Sequence, residues 1–409
     1  MARPDDGGAP DLDAIRAIVV AARREGRTTL LEPEGLAVLA AAGIAVPRWR
    51  FVRDVGELDG AAPGDAGLTG AVLDDLPGER VVVKVVSGRI VHKTEVGGIA
   101  IVPRDRAAVA GAIRAIGARL GDPAEGYLIA EHVDHDAALG GELLLSLRWT
   151  DDFGAVVSVG AGGIHAETLA ADLRPGREIA IISPSLTPRD AIGPALEATT
   201  AVRLATTSLR GQPPRLPLAH LVEVVGRLLA LGAGLVPAEL LECEINPAAV
   251  TADGLVALDV LVTLGDGPAP VRPPRPVHKL ARLLEPRSVA IVGVSSTSNP
   301  GRVILANLVR EGFARDRIVV VKPGVDDIDG VRCVPDLAAL PGKVDLFVVA
   351  LSATQAPAFV AEVIERDLAE SLILIPAGLE EKSGGDELAA RMRDALAAAR
   401  ASEGGGPLI

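Results

Sequence analysis

The chain has 409 residues, enough for two or three domains with a sizeable buried core. Hydrophobic residues make up 49% but aromatics only 2%, so that core must be built from Ala, Val, Leu and Ile. A net charge of −13 argues against general affinity for nucleic acid, though not against a local site for an anion.

In chain order, residues 10–50 read as helix, helix and a short strand, with Gly43 as the stop of the second helix. Residues 55–79 are rich in Gly, Asp and Pro and read as loop. Strands are expected at 81–86, 98–102, 127–133, 142–148 and 155–159, with a helix near 106–119. Helical periodicity returns at 216–231. The runs LLECEINP (240–247) and LVALDVLVTL (255–264) flank the turn signal Ala252, Asp253, Gly254, which predicts a hairpin. Residues 265–276 form a proline-stiffened linker, the clearest boundary in the chain. Beyond it the pattern becomes regular β/α alternation, with strands at 288–294, 317–321, 345–351 and 371–375 and helices near 301–312, 355–369 and 385–402. That alternation implies a parallel sheet with right-handed crossovers. The last residues, 407–409, read as the start of a further strand. Boundaries are therefore placed at 1–28 (extension), 29–264, 265–279 (linker) and 280–409. Cys243 and Cys333 fall in different units, which disfavours a disulfide framework and fits a reducing cytoplasm. The first residues lack the apolar core of a signal peptide, and no apolar run of membrane-spanning length is free of charge or turn residues.

The run VVVKVVSGRIVHKTEVGG at 81–98 carries the most chemistry. Lys84 inside an apolar strand is costly unless a partner such as a phosphate neutralises it, or unless it snorkels from an edge strand to water. His92, on the loop that follows, is suited to proton or phosphoryl transfer. Glu131 and Glu142 stand at strand ends, either as acceptors for a nucleotide's amine or hydroxyls or as ordinary solvated carboxylates. Gly162 and Gly163 follow a strand, either letting backbone amides approach phosphate oxygens or forming a glycine-rich turn with no ligand. Glu244 and Asn246, two apart in a strand, face the same side, and the hairpin brings Asp259 opposite. Oxygen donors of this kind suit Mg²⁺. In the second unit, the run EPRSVAIVGVS (285–295) leads through a small-residue loop to Gly301, Arg302 and a helix start, a ready anion site. The dinucleotide fingerprint of two closely spaced glycines is missing, since Gly293 and Gly301 stand too far apart.

These motifs, in this order, resemble the NDP-forming acyl-CoA synthetase family. The match rests on SGRIVHKTEVGG (87–98), DFG (152–154), GAGGIHAE (160–167), LRG (209–211), EINP (244–247) with Leu258 and Asp259, and, in the second unit, PRSVAIVGVS (286–295), Gly301, VKP (321–323), IDG (328–330) and IPAGLE (375–380). The resemblance implies an α/β chain: an ATP-grasp fold of two α+β lobes, linked to a Rossmann-like CoA-binding domain with a parallel sheet. It implies that Lys84 contacts nucleotide phosphates, with Glu131 at the adenine hinge. Asn246 and Asp259, joined by Glu244, hold Mg²⁺. His92 carries the phosphoryl group. In the second unit it places CoA against Gly293, Ser295, Gly301, Arg302 and Lys322; the lysine stands where the family usually has asparagine. The implied activity is ADP-forming ligation of a small carboxylate to CoA through an acyl phosphate, with ATP and CoA as substrates. In this family a ligase domain follows the CoA-binding domain, so a further domain or partner subunit, and an oligomer, are expected. Neither nucleic acid nor a membrane is an expected partner. A non-catalytic relative that binds nucleotide or acyl-CoA is the alternative, and a carboxylate–amine ligase is a more distant one.

Overall fold

The computed structural model describes residues 9–59, 72–90, 93, 95–120, 125–163, 166–208, 210–268, 275–375, 385–402 and 405–409. Among the sequence expectations, His92, His165, Leu209, residues 269–274 of the linker and residues 376–380 lie outside them. The chain divides into two compact units, Met1–Ala269 and Pro270–Ile409.

The first unit opens with helix α1 (Leu12–Arg24), whose Asp11 cap accepts from the Ala14 amide and whose Ile15, Val19 and Ala22 are fully buried. Set apart as an extension by sequence, this helix belongs to the unit's main core. Helix α2 (Glu32–Ala41) begins with Pro33 in its first turn and ends before Gly43, whose φ of +76° suits the glycine predicted to stop it. Strands β1 (Trp49–Val52), β2 (Arg80–Val86), β3 (Ile99–Pro103) and β4 (Gly126–Glu131) form an antiparallel sheet in the order β1-β4-β2-β3, covered by α3 (Arg106–Leu120).

The second sheet starts with β5 (Glu142–Thr150) and β6 (Gly154–Ala161). Helix α4 (Ala166–Asp172), strand β7 (Ile179–Ile182) and helices α5 (Arg189–Glu197), α6 (Thr200–Thr206) and α7 (Leu218–Leu235) follow. The long strand β8 (Leu240–Thr251), β9 (Gly254–Ala257) and β10 (Val260–Leu264) complete it in the order β10-β8-β5-β6-β7, with β9 also on β8. Helix α7 is long and apolar enough to cross a membrane by composition, but it packs on β5 and β6 with Leu221, Val225, Leu228 and Leu231 fully buried. Residues from both sheets share one aliphatic core.

The second unit contains α8 (Leu280–Leu284), β11 (Val289–Val292), α9 (Pro300–Arg310), β12 (Ile318–Val321), β13 (Asp327–Ile328), β14 (Val331–Val334), β15 (Val344–Val349), α10 (Ala356–Glu365), β16 (Ala369–Leu374) and α11 (Gly385–Arg400). Its sheet runs β13-β14-β12-β11-β15-β16 and is parallel except for the short β13–β14 pair. Leu408 adds a parallel bridge to Ser371, in line with the strand expected at 407–409. Strand β11 pairs with β12 on one side and β15 on the other, so the direction of winding reverses there. A crevice outside the carboxyl ends of the strands at such a point is where ligands of open α/β sheets bind.

Candidate active site

Strand alternation sorts the side chains of β2. Val81, Val83 and Val85 enter the core beneath α3, while Lys84 takes the other face with Val86. Because β2 lies between β3 and β4, and Lys84 is only 8% exposed, the edge-strand alternative is excluded. The Lys84 ammonium donates to Glu32 Oε1 at 2.6 Å and to the Leu258 carbonyl at 2.8 Å. Lys93 reaches the same carboxylate from the other side, 2.7 Å from Glu32 Oε2, and lies 3.3 Å from Asp259 Oδ1. Burial alone would lower the Lys84 pKa, but the charges of Glu32 and Asp259 and the hydrogen bond to Glu32 more than offset it and raise it. Burial likewise opposes ionisation of Asp259, and the charges of Lys84 and Lys93 overcome it and hold its pKa below the usual carboxylate value.

Glu32 and Lys93 are the site residues that sequence reasoning missed. Glu32 was visible as an acid in the first turn of a helix, where carboxylates are common. The available signal was the lysine itself, since a buried ammonium needs a buried anion. Two residues further on, Glu34 accepts from the Leu31 amide and pairs with Arg27, and so takes the capping role that leaves Glu32 for the lysines.

Asp259 stands in a break that the sequence did not show. The stretch 255–264 was expected as one strand; it forms β9 and β10, with Leu258 and Asp259 between them. The Asn246 amide donates to the Asp259 carbonyl at 3.3 Å, which sets the two residues side by side. Asn246 Oδ1 accepts from the Gly163 amide at 3.0 Å, tying the glycine turn to β8. A hydrogen bond from Asn246 also reaches Glu244, whose pKa is raised by burial and by the charge of Glu242. Glu32, Lys93, Glu244, Asn246 and Asp259 line one cleft of about 300 Å³ together with Ser87 and Gly88. Lys84 lies behind Glu32, so the ammonium that faces the cleft is that of Lys93.

Of the remaining nucleotide candidates, Gly163 is tied to the cleft through Asn246, while Glu131, Glu142 and Gly162 do not line it. Glu142 is bonded to His135 Nε2 at 2.9 Å, and a side chain on Gly163 (φ +64°) would collide with it. The His135 pKa is raised: burial acts to lower it, and the bonds to the Val133 carbonyl and to Glu142 prevail. Gly162 has no room for a Cβ against the Leu143 carbonyl. Glu131 ends β4 beside Val81, 7% exposed, and does not line the cleft. His132 Nδ1 lies 3.2 Å from Asp134 Oδ1. Cys243 is buried, its pKa pushed up to about 12 by burial and by Glu242 and Glu244, so it offers no thiolate.

The donor set near Asp259 fits Mg²⁺. Asp259 and Asn246 offer hard oxygens to the cleft. Mg²⁺ is commonly held by one or two carboxylates, with waters and substrate phosphates completing its shell.

In the second unit, β11 turns at Gly293 (φ +85°), where a side chain would run into the Ala350 carbonyl. Asn299, which the sequence reading passed over, organises the loop. Its Oδ1 accepts from the Arg302 amide at 2.9 Å and the Ser295 amide at 3.2 Å, and its Nδ2 donates to the Gly293 carbonyl at 2.7 Å. Gly301 packs so closely on that carbonyl that a Cβ would lie 2.8 Å from it. Lys322, just past β12, donates to the Val294 carbonyl at 2.9 Å, and Arg302 pairs with Asp329 at 2.8 Å. Gly293, Ser295, Gly301, Arg302 and Lys322 therefore gather at the carboxyl ends of β11 and β12.

Residues 21–264 match the family described as ATP-grasp domain, and residues 287–408 match that described as CoA binding domain. The chain is 29% identical over 315 residues to acetate–CoA ligase [ADP-forming] II of Archaeoglobus fulgidus, covering 76% of this chain and 43% of that protein. It is 28% identical over 251 residues to acetate–CoA ligase [ADP-forming] I subunit beta of Pyrococcus furiosus, covering 61% of this chain and 97% of that subunit. A solved acetyl-coenzyme A synthetase of Ca. Korarchaeum cryptofilum, in complex with coenzyme A and Ca-AMPCP, superposes with a TM-score of 0.48 at 24% identity. It covers 61% of this chain and 99% of that one. The chain thus spans less than half of the A. fulgidus relative. The chain belongs to the ATP-grasp family, carries a CoA-binding domain after it, and is homologous to ADP-forming acetate–CoA ligases.

Proposed function

We propose that this chain supplies the nucleotide- and CoA-handling parts of a soluble, cytoplasmic ADP-forming acid–CoA ligase. A small carboxylate would be activated as an acyl phosphate and then captured by CoA. The observation that carries the reading is the convergence of Lys93, Asn246 and Asp259 on one cleft of the ATP-grasp unit, with Lys84 held behind it by Glu32. Relatives bearing the name acetate–CoA ligase support it, and the beta-subunit relative supports a partner that completes the acyl site, within an oligomer.

In this reading Lys93 faces the phosphates and Lys84 reinforces the positive potential from behind Glu32. The amides of the Gly162–Gly163 turn approach phosphate oxygens, while Glu131 and Glu142 receive the base and ribose. Asp259 and Asn246 would hold Mg²⁺, with Glu244 orienting the Asn246 amide, and a cation bound there would offset charge on the transferring phosphate. His92 takes the phosphoryl group and releases it toward the acyl site. In the second unit the loop from Gly293 through Ser295 to Gly301, with Arg302 and Lys322, receives CoA phosphates at the start of α9. Phosphorus-labelled exchange between ADP and ATP tests the reading. Magnesium-dependent exchange that disappears in His92→Asn is expected, with an acid-labile phosphoenzyme. Nucleotide binding without exchange would sink it in favour of a non-catalytic binding protein.

A further inference from the structure

Glu32, Lys93 and Asp259 meet at the cleft with Lys84 behind them, and these four charges differ in how far each can leave its partners. Glu32 is the most enclosed, its side chain 2% exposed, and it gives one oxygen to Lys84 and the other to Lys93. Asp259 is the most open at 29%, and its contact with Lys93 is the longest of the three ion pairs at 3.3 Å, against 2.6 and 2.7 Å for those of Glu32. A small divalent cation entering from the cleft therefore meets Asp259 first and competes there with a lysine of the protein itself. A second anion behind that lysine lets it give up Asp259 without being left uncompensated in a buried place.

We infer that Glu32 is a positioning residue that retains Lys84 and Lys93 while Asp259 is yielded to the divalent cation accompanying the nucleotide. The inference rests on the nucleotide reading of the cleft. Lys93 is shared between Glu32 and Asp259. When the cation arrives, Lys93 keeps its bond to Glu32 and stays in the cleft wall, where its ammonium faces the phosphates. Without Glu32 the same lysine has Asp259 as its remaining anion and opposes the cation directly. The neutral balance of two lysines and two carboxylates becomes an excess of one positive charge beside the cation's seat.

The test is binding of a fluorescent trinitrophenyl-ATP probe to the full chain at increasing Mg²⁺, which reads the site without requiring turnover. Glu32→Gln is expected to raise the half-saturating Mg²⁺ about tenfold, as one unbalanced charge near a partly screened cation would. Lys93→Met alone should weaken the probe itself, because its ammonium faces the phosphates, without raising the half-saturating Mg²⁺, whereas Lys93→Met added to Glu32→Gln should bring that Mg²⁺ requirement back down, since the competing ammonium is gone. A purely structural role for Glu32 would show no such restoration. If Glu32→Gln does not fold, Glu32→Asp retains the charge but shortens the reach. It should then move the Mg²⁺ requirement in the same direction by about threefold. An unchanged Mg²⁺ requirement in the foldable Glu32 variant, or no restoration by Lys93→Met, overturns the inference while leaving the nucleotide reading intact. Failure of the unaltered chain to bind the probe at any Mg²⁺ concentration overturns both.

Discussion

The cleft of the first unit and the loop of the second are built by different physical means. In the first, the charge is carried by side chains that are buried and already paired with one another: Lys84 and Lys93 with Glu32, and Lys93 with Asp259. In the second, shape is carried by the backbone. A left-handed glycine, a close-packed glycine and one capping asparagine hold a helix start open, and the charged groups, Arg302 and Lys322, sit around its rim. A site of the first kind is stable only while its charges balance, so a substitution there disturbs folding and binding together. A site of the second kind tolerates loss of a rim charge but not a change in backbone geometry.

The largest effect that would test this contrast is expected from Lys84→Met. It leaves Glu32 with one cation and the Leu258 carbonyl without its donor, and breaking a buried pair from one side costs about 3–5 kcal/mol. Urea unfolding monitored by circular dichroism should show that loss along with loss of nucleotide binding; retained stability would break the contrast. Next, Gly293→Ala forces a Cβ into the Ala350 carbonyl at a left-handed φ. A loss of about 1–3 kcal/mol is expected in the second unit, with CoA binding abolished in calorimetry. Lys322→Ala should be milder, weakening CoA about tenfold with stability nearly unchanged, the value of one charge-assisted hydrogen bond. Equal damage to stability would mean that the second site also depends on paired charge.

The smallest effect sharpens the picture at the edge of the first site. The folded His135 pKa lies above its unfolded value, so its bond to Glu142 stabilises most when the imidazole is protonated. That contribution is fully present below about pH 6.5, the unfolded value, and is lost as pH rises through the higher folded value. The stability difference between the unaltered chain and His135→Gln should therefore shrink between acid and alkaline pH. A difference that grows toward high pH would refute the assignment.

Much of this was legible from local pattern. The aliphatic runs at 81–86, 127–133 and 142–148 and those of the second unit are strands close to their expected limits, because buried β-strands announce themselves in Val, Ile and Leu. The stretch from 165 to 215 was not legible. It folds as α4, β7, α5 and α6, which are short, and α5 carries Pro194 inside it, so no window there is long enough for periodicity to show. Strands β13 and β14 escaped for the same reason. The site was legible where a residue type is costly in its place, as for Lys84, and obscure where the residue is ordinary, as for Glu32 and Asn299.

Composition and order alone determined that the core is aliphatic, that a parallel sheet follows the proline-rich stretch, and that Lys84, Asn246 and Asp259 belong to one recognisable series of motifs. The first two follow from local propensity and spacing, and the third from the resemblance of those motifs to a known family; none needs knowledge of what lies across the fold. Only the tertiary structure decided that Lys84 has a carboxylate partner 52 residues away, that Lys93 rather than Lys84 faces the cleft, and that a strand breaks at Asp259. Packing of α2 against β10 sets Glu32 near Asp259, and Lys84 reaches Glu32 from β2; pairing of that kind leaves no periodic trace in sequence.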